Sequence, residues 1–360
     1  MIRAAPLVLA LTGMLASTLT ATQALAATST ESALAISDAL EKAGFEGGFA
    51  VVSQNGDLTI VPSKGNEANT PLPWASVTKQ VIAVLAMQLV EDGTLALDVP
   101  ADAYLVSLAG DSPAPTIRQM LQHQTGLKNP DNSPEDASGI PDFYTTGPSG
   151  LSWCLADRGS TPAEGWEYNN CDFIVLGAVI EAATGERLDS LLEARIFAPA
   201  GMASTRIASG MGSDTRVEGG AAIAQRAARY GASAGLIGPF AELLAFDRAL
   251  MNGDLLSEEA RSVLWDGSPA LGYMALGQWS FPANLSGCAA PVSLVERRGA
   301  IADFHIQNYI VPDRGIALAA ITRQAEFDFG EIWTGQGAIF ETLSAWLCPA
   351  QNKKDIALVR

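Results

Sequence analysis

The sequence predicts an α/β (α+β) fold: an antiparallel sheet flanked by the N- and C-terminal helices, with a mainly helical subdomain inserted between the two sheet-forming ends of the chain. Three observations carry this. Strand-like runs joined by short turns lie near the start and again beyond residue 226. Helix patterns separated by loops fill the middle. A helix pattern stands before the first strands and after the last, where it suits packing against one sheet face. At 360 residues, 48% hydrophobic and 17% charged, the chain can bury a large core.

The first thirty residues carry Arg3, an apolar stretch too short to span a bilayer comfortably, and then Ala24-Leu25-Ala26 as a small-residue cleavage site. We read residues 1–26 as a removable secretory signal, with an uncleaved anchor as the alternative. Its loss leaves 360 − 26 = 334 residues and moves the net charge from −17 to −18, because Arg3 is its one charged residue. No later apolar run suggests a membrane span, so none is expected after cleavage. A mature acidic chain repels phosphate backbones, which argues against nucleic acid as a partner. The expected location is periplasmic or secreted.

After the signal, "ESALAISDALEKAGFEG" predicts an amphipathic helix over Glu31 to Lys42. "GFAVVSQNG" and "DLTIVPS" read as strands joined by an Asn55-Gly56 turn. A long helix is expected from Ser76 to near Gly93. Further helices follow in "TIRQMLQH", "CDFIVLGAVIEAATG" and "ERLDSLLEARIF", and segment 128–166 is a long irregular stretch of the sort that is often functional. "PFAELLAFDRALMNG" predicts a helix with Pro239 in its first turn. "LGYMALGQWSF", "PVSLVERRG", "DFHIQNYIVP" and "GIALAAITR" then read as strands, and "GQGAIFETLSAWL" as the last helix. The expected organisation is an α/β subdomain over 27–75 and 226–360 and a helical subdomain over 76–225.

Cys154, Cys171, Cys288 and Cys348 all lie in the exported part, where an even number points to disulfides. Three pairings are possible. Sequence neighbourhood favours Cys154–Cys171 and Cys288–Cys348, each worth about 3 kcal/mol in the chain-entropy model. A metal site is the weaker alternative, since the spacings do not suit zinc and only His123 and His305 could add nitrogen ligands. No metal or organic cofactor is expected.

With two histidines, a general base other than imidazole is worth seeking. Ser76 and Lys79 are three residues apart and so share a helix face. A lysine in the apolar "WASVTKQVIAVLAMQLVEDGTL" is disfavoured as an ammonium by desolvation and by the helix dipole, and can take a proton from Ser76. The alternative is a lysine that snorkels to water. Tyr168 and Asn170 precede a strongly apolar helix: the phenol can serve as a base and the amide can hold a carbonyl, or Asn170 only caps the helix and Tyr168 only packs.

Together these motifs make a resemblance. "WASVTKQVIAVLAMQLVEDGTLALDVPADAYL" is similar to the nucleophile helix of the serine β-lactamase and penicillin-binding protein superfamily, in its class C β-lactamase, D,D-carboxypeptidase and esterase branch. "TIRQMLQHQTGL" resembles that branch's His-x-Ser-Gly-Leu, with Thr125 for the serine; Tyr168 and Asn170 match its Tyr-x-Asn, and "FAPAGM" its Pro-x-Gly-Met. The resemblance implies a β-lactamase/transpeptidase-like fold. It also implies a nucleophilic Ser76, proton transfer by Lys79 and Tyr168, substrate contact by Asn170, and an oxyanion site at the Ser76 and Ala300 amides.

One motif departs. The branch has Lys or His, one residue, then Gly on an edge strand, and "ERRGAIADF" puts Arg297 at the basic position before Gly299, with Asp303 where glycine is usual. A guanidinium is bulkier and stays protonated, so Arg297 is expected to clamp a substrate carboxylate rather than move a proton; solvated edge-strand charges are the other reading of Arg297 and Arg298. The implied function is an exported serine hydrolase that forms an acyl-enzyme on a small-molecule or peptidoglycan-peptide substrate. A peptidase or esterase type is favoured, with a class C-like β-lactamase and a non-catalytic penicillin-binding or sensor protein as alternatives.

Overall fold

A computed structural model describes residues 32–62, 69–156, 165–209 and 217–348. The signal read over 1–26 lies outside the described residues.

Among the described residues nine strands form in chain order: β1 (Gly47–Ser53), β2 (Leu58–Val61), β3 (Leu72–Pro73), β4 (Arg206–Ile207), β5 (Leu236–Gly238), β6 (Trp279–Ala283), β7 (Val292–Ile301), β8 (Phe304–Val311) and β9 (Ile316–Thr322). Six make an antiparallel sheet in the order β2-β1-β9-β8-β7-β6, and three make a small sheet in the order β3-β5-β4. The first strands therefore close onto the last: Gly47–Ser53 pairs with Ile316–Thr322 along its whole length.

Alternation along each strand gives the sheet two apolar faces. Phe49, Leu294, Tyr309 and Leu318 meet helix α1 (32–42) and the C-terminal helix Ala338–Leu347, whose Ile339, Leu343 and Trp346 point at them. Ala50, Val295, Ile306 and Ala319 on the opposite face join one continuous core with helix α2 (Thr78–Glu91). That core also takes in α3 (Ile117–Leu121), α4 (Leu151–Leu155) and α5 (Asn170–Thr184). Helix α2 is buried on nearly every side, which explains why its apolar residues do not fall into a stripe.

Several boundaries differ from expectation. Of "LGYMALGQWSF" only the last three residues are strand, the start of Trp279–Ala283, because Gly272 and Gly277 take positive φ of 60° and 77° and turn the chain before it. Pro239 is the N-cap of helix Phe240–Asn252 rather than a first-turn residue. Ser76 lies not in α2 but in the 3₁₀ turn Ala75–Val77 just ahead of it. The helices Gly220–Tyr230 and Glu258–Leu264 were not expected, although the first buries Ile223, Ala224, Ala227 and Tyr230 along one face.

A buried polar chain fixes α2 to the sheet. Gln80 Nε2 donates to Gln278 Oε1 (2.7 Å), and Asn308 Nδ2 donates to Gln80 Oε1 and Asp247 Oδ1 (both 3.0 Å). Burial pushes the Asp247 carboxyl from 3.8 up to about 8, against the smaller opposing effect of the Asn308 amide. A raised folded-state value means that stability from this group is full below pH 3.8 and is lost as pH rises toward 8. Asp247→Asn should therefore flatten the pH dependence of Tm. Between pH 5 and 7 the native chain should lose roughly 1.4 kcal/mol per pH unit relative to the variant. Parallel curves for the two proteins in thermal melts would refute the assignment.

Candidate active site

The site begins with strain in the backbone. Ala75 holds φ at 46°, a conformation that costs an alanine free energy and persists only where neighbours enforce it. The neighbours are visible: buried Trp74 donates from Nε1 to Gly238 O (3.1 Å) and from its backbone to Leu236 O (2.9 Å). On the other side β7 passes so close that a Cβ on Gly299 would lie 2.9 Å from Ser76 N and 2.8 Å from Trp74 O. Only glycine fits there, and its approach sets the Ser76 amide against β7. Strand β6 begins only at Trp279, opposite Glu296, so β7 from Arg297 to Ile301 has no β6 residue beside it and borders a cavity of about 400 Å³. Ser76, Tyr168, Asn170, Arg297, Gly299 and Ala300 are among the residues that line this cavity.

Helix α5 delivers the second group. Asn169, not Asn170, caps it, accepting from Cys171 N (2.9 Å) while donating to Leu127 O (2.7 Å). This leaves the Asn170 side chain free to turn toward α2. The Cys154–Cys171 bridge (Cα–Cα 5.5 Å) ties this helix start to α4, and Cys288–Cys348 (4.9 Å) ties the last helix to the loop before β7. Asn129 Nδ2 donates to Tyr168 O (3.0 Å) and holds the approach to the helix.

These elements converge on Lys79, which is fully buried. Its Nζ lies 2.7 Å from Asn170 Oδ1, 2.9 Å from Ser233 O, 2.7 Å from Tyr168 OH and 3.2 Å from Ser76 Oγ. Two of these partners, an amide oxygen and a backbone carbonyl, can only accept. The Asn170 orientation is set by the far end of the amide: Nδ2 donates to Tyr144 OH (2.8 Å), which in turn donates to Asp131 Oδ1 (2.5 Å). A neutral Lys79 amine directs its two N–H bonds at the two pure acceptors, leaving its lone pair toward Tyr168 and Ser76. Burial, and then the charge of Arg297, hold the Lys79 ammonium well below its ordinary 10.5.

Tyr168 OH is the hub, 2.5 Å from Ser76 Oγ and within reach of Lys79 and of Arg297 Nη2 (3.3 Å). Burial raises its pKa, outweighing Arg297 and the Ser76 hydrogen bond, so the resting group is a phenol. His123 has no hydrogen bond to Ser76. Its Nδ1 accepts from Asn169 N (3.3 Å) and sits 2.9 Å from Asp172 Oδ2, with its ring packed 4.8 Å from that of Tyr168. Burial disfavours the charged form of each, lowering the His123 pKa and raising that of Asp172, and the pair packs behind Tyr168. Among the described residues no group of three or more His, Cys, Asp or Glu converges to hold a metal ion.

Residues 33–337 match the family model described as Beta-lactamase. The chain belongs to the β-lactamase family. Esterase EstB of Burkholderia gladioli is 32% identical over 187 residues, 46% of this chain and 47% of that protein. A D-aminopeptidase of Cereibacter sphaeroides is 26% identical over 270 residues, 71% of this chain and 50% of that protein. The chain thus spans about half the length of these curated relatives. In fold it is similar to a D-stereospecific amidohydrolase from Streptomyces sp., with a TM-score of 0.70 at 20% identity over 88% of this chain and 98% of that one.

Within this β-lactamase-family framework, Arg297 is the residue whose surroundings differ most from expectation. Its side chain is fully buried, donating from Nε to Ser76 O (2.9 Å) and from Nη2 to Tyr168 OH, and Nη1 is buried as well. It is not a solvated edge charge, although it lines the cavity beside Ser76. It braces the serine turn and lowers the Lys79 pKa. Asn170, expected to orient substrate, has both ends of its amide engaged by Lys79 and Tyr144. The residues that sequence reading missed are Tyr144, Asp131 and the Ser233 carbonyl; the unusual length of segment 128–166 was the one signal for the first two.

These contacts fix the sign of a pH effect. Activity that needs neutral Lys79 should rise with pH along a limb set below the ordinary lysine range. Removing the Arg297 charge in Arg297→Gln should move that limb to higher pH and lower the rate at neutrality. A pH profile of kcat/KM with an unmoved limb would contradict the electrostatic role assigned to Arg297.

Proposed function

We propose that the chain is an exported serine hydrolase that acylates Ser76 with an amide, β-lactam or ester carbonyl, of the D-peptidase or esterase type. The observation that carries this is the fully buried Lys79 Nζ within hydrogen-bond distance of two acceptor-only oxygens, Asn170 Oδ1 and Ser233 O, and of the Tyr168 and Ser76 hydroxyls, so that a neutral amine bonded to the first two would aim its lone pair at the others. Such an arrangement has no use in a purely binding protein, where a buried lysine is a cost.

In the proposed step Ser76 Oγ bonds to the substrate carbonyl carbon. Its proton passes to Tyr168 O as the phenol passes its own proton to Lys79 Nζ. Arg297 Nη2 donates to the Tyr168 oxygen and steadies its transient charge. The Ser76 and Ala300 amides hold the oxyanion, with Gly299 giving them clearance. Lys79, now an ammonium, returns a proton through Tyr168 to the leaving amine or alcohol, and water then releases the acyl group. The small-molecule or peptidoglycan-peptide class of substrate draws support from relatives named as D-aminopeptidase, esterase and penicillin-binding protein. Export draws support from the two disulfides, which persist in oxidising compartments.

Incubation with a fluorophosphonate and with a fluorescent penicillin, followed by peptide mass spectrometry, tests the reading. An adduct on Ser76, lost in Ser76→Ala, is expected. Lys79→Ala should cut ester hydrolysis by about 10²–10⁴. Undiminished hydrolysis by that variant, or absence of any Ser76 adduct, would sink the proposal.

A further inference from the structure

A second cavity of about 830 Å³ opens beside the first. Trp279 and Arg298 line both, so the two adjoin where β6 begins. Its walls are aromatic: Trp166 packs edge-on to Trp279 (centroids 5.8 Å apart), and Phe281 contacts Trp333 (6.2 Å) and Tyr273 (6.4 Å). Among the described residues the large aromatic side chains most exposed to water are Trp166 at 37%, Tyr273 at 37% and Trp333 at 60%, and all three line this groove. Water-exposed aromatic surface gathered in one concavity next to a nucleophile is suited to a ligand that covers it.

The charges at its edge are already paired. Arg298 donates from Nη1 and Nη2 to the two carboxylate oxygens of Glu331 (both 2.6 Å), also bonds Glu296, and lies over the Trp333 ring at 4.9 Å. Thr334 Oγ1 donates to the Glu331 carbonyl (2.7 Å). Arg298 and Thr334 are thus bound internally, while Tyr273 and Asn284 add a hydroxyl and an amide to a lining that is otherwise mostly aromatic and apolar. The paired charge disfavours an anion, and the aromatic faces suit an uncharged apolar group.

We propose that this groove is a specificity subsite that takes a bulky, uncharged aromatic or aliphatic group carried by the same substrate whose carbonyl meets Ser76, with Trp333 as its principal contact. The inference rests on the serine-hydrolase reading for its catalytic test, but binding can be measured without turnover.

Two ester series test it: p-nitrophenyl esters from acetyl to hexanoyl and phenylbutyryl, and acetate esters of methanol, phenol and 2-naphthol. The expected result is a rise in kcat/KM with bulk in one series, through KM more than kcat, with Trp333→Ala lowering the bulky-to-small ratio by roughly tenfold and Trp333→Phe retaining most of it. Calorimetric binding of the same esters to Ser76→Ala should give the matching ratio of Kd values, again reduced when Trp333→Ala is added. A flat ratio in both series and in binding overturns the subsite, as does a preference that Trp333→Ala and Trp166→Ala both leave intact. Loss of all turnover with the binding ratio preserved would count against the hydrolase reading and for the groove.

Discussion

The structure depends on holding a lysine amine out of water. Lys79 has no solvent to stabilise its charge, and its two acceptor-only partners come from separate elements: Asn170 from the start of α5 and Ser233 from the turn before β5. Each must arrive within hydrogen-bond distance or the buried amine is left unsatisfied, which is expensive in a low-dielectric interior. The surrounding fold follows from that demand. The α5 cap falls on Asn169 so that Asn170 can turn inward, the disulfide at Cys171 pins that turn, and Tyr144 orients the amide from behind.

The sheet answers a different demand, which is to bring a backbone amide beside the serine. Strand β6 begins late and leaves part of β7 without a neighbour on that side, and Gly299 removes the one atom that would keep β7 from the strained turn at Ala75. Ser76 and Arg297 of β7 are separated by more than 200 positions in the chain, and they meet because β1 closes onto β9 and gathers both ends into one sheet.

Much of this was legible in the sequence because it is periodic or punctuated. The strand pairs around Asn55-Gly56 and from Val292 to Thr322, the α5 helix with its terminal Gly185, and the Ser76–Lys79 spacing all follow from local patterns. What was not legible depends on tertiary arrival. Nothing in "ERRGAIADF" says that Arg297 reaches back to the Ser76 carbonyl instead of out to solvent, since burial of a guanidinium is set by the elements that cover it. Tyr144 and Asp131 lie in an aperiodic segment, where sequence reports length but not contacts. The strand read through "LGYMALGQWSF" failed for a local reason: two glycines at positive φ outweighed its apolar run.

Arg297 and Arg298 are consecutive, and strand geometry sends them to opposite faces of the sheet. One guanidinium is buried against the serine turn; the other lines the wall of the aromatic groove. In the proposed function and subsite, neighbouring positions on a single strand would serve reactivity and selectivity. A one-residue slip of β7 against β8 would exchange the two and remove the clearance at Gly299 in the same movement. The pairing register of this hairpin, more than any single side chain, is what keeps the chemistry and the choice of substrate in step.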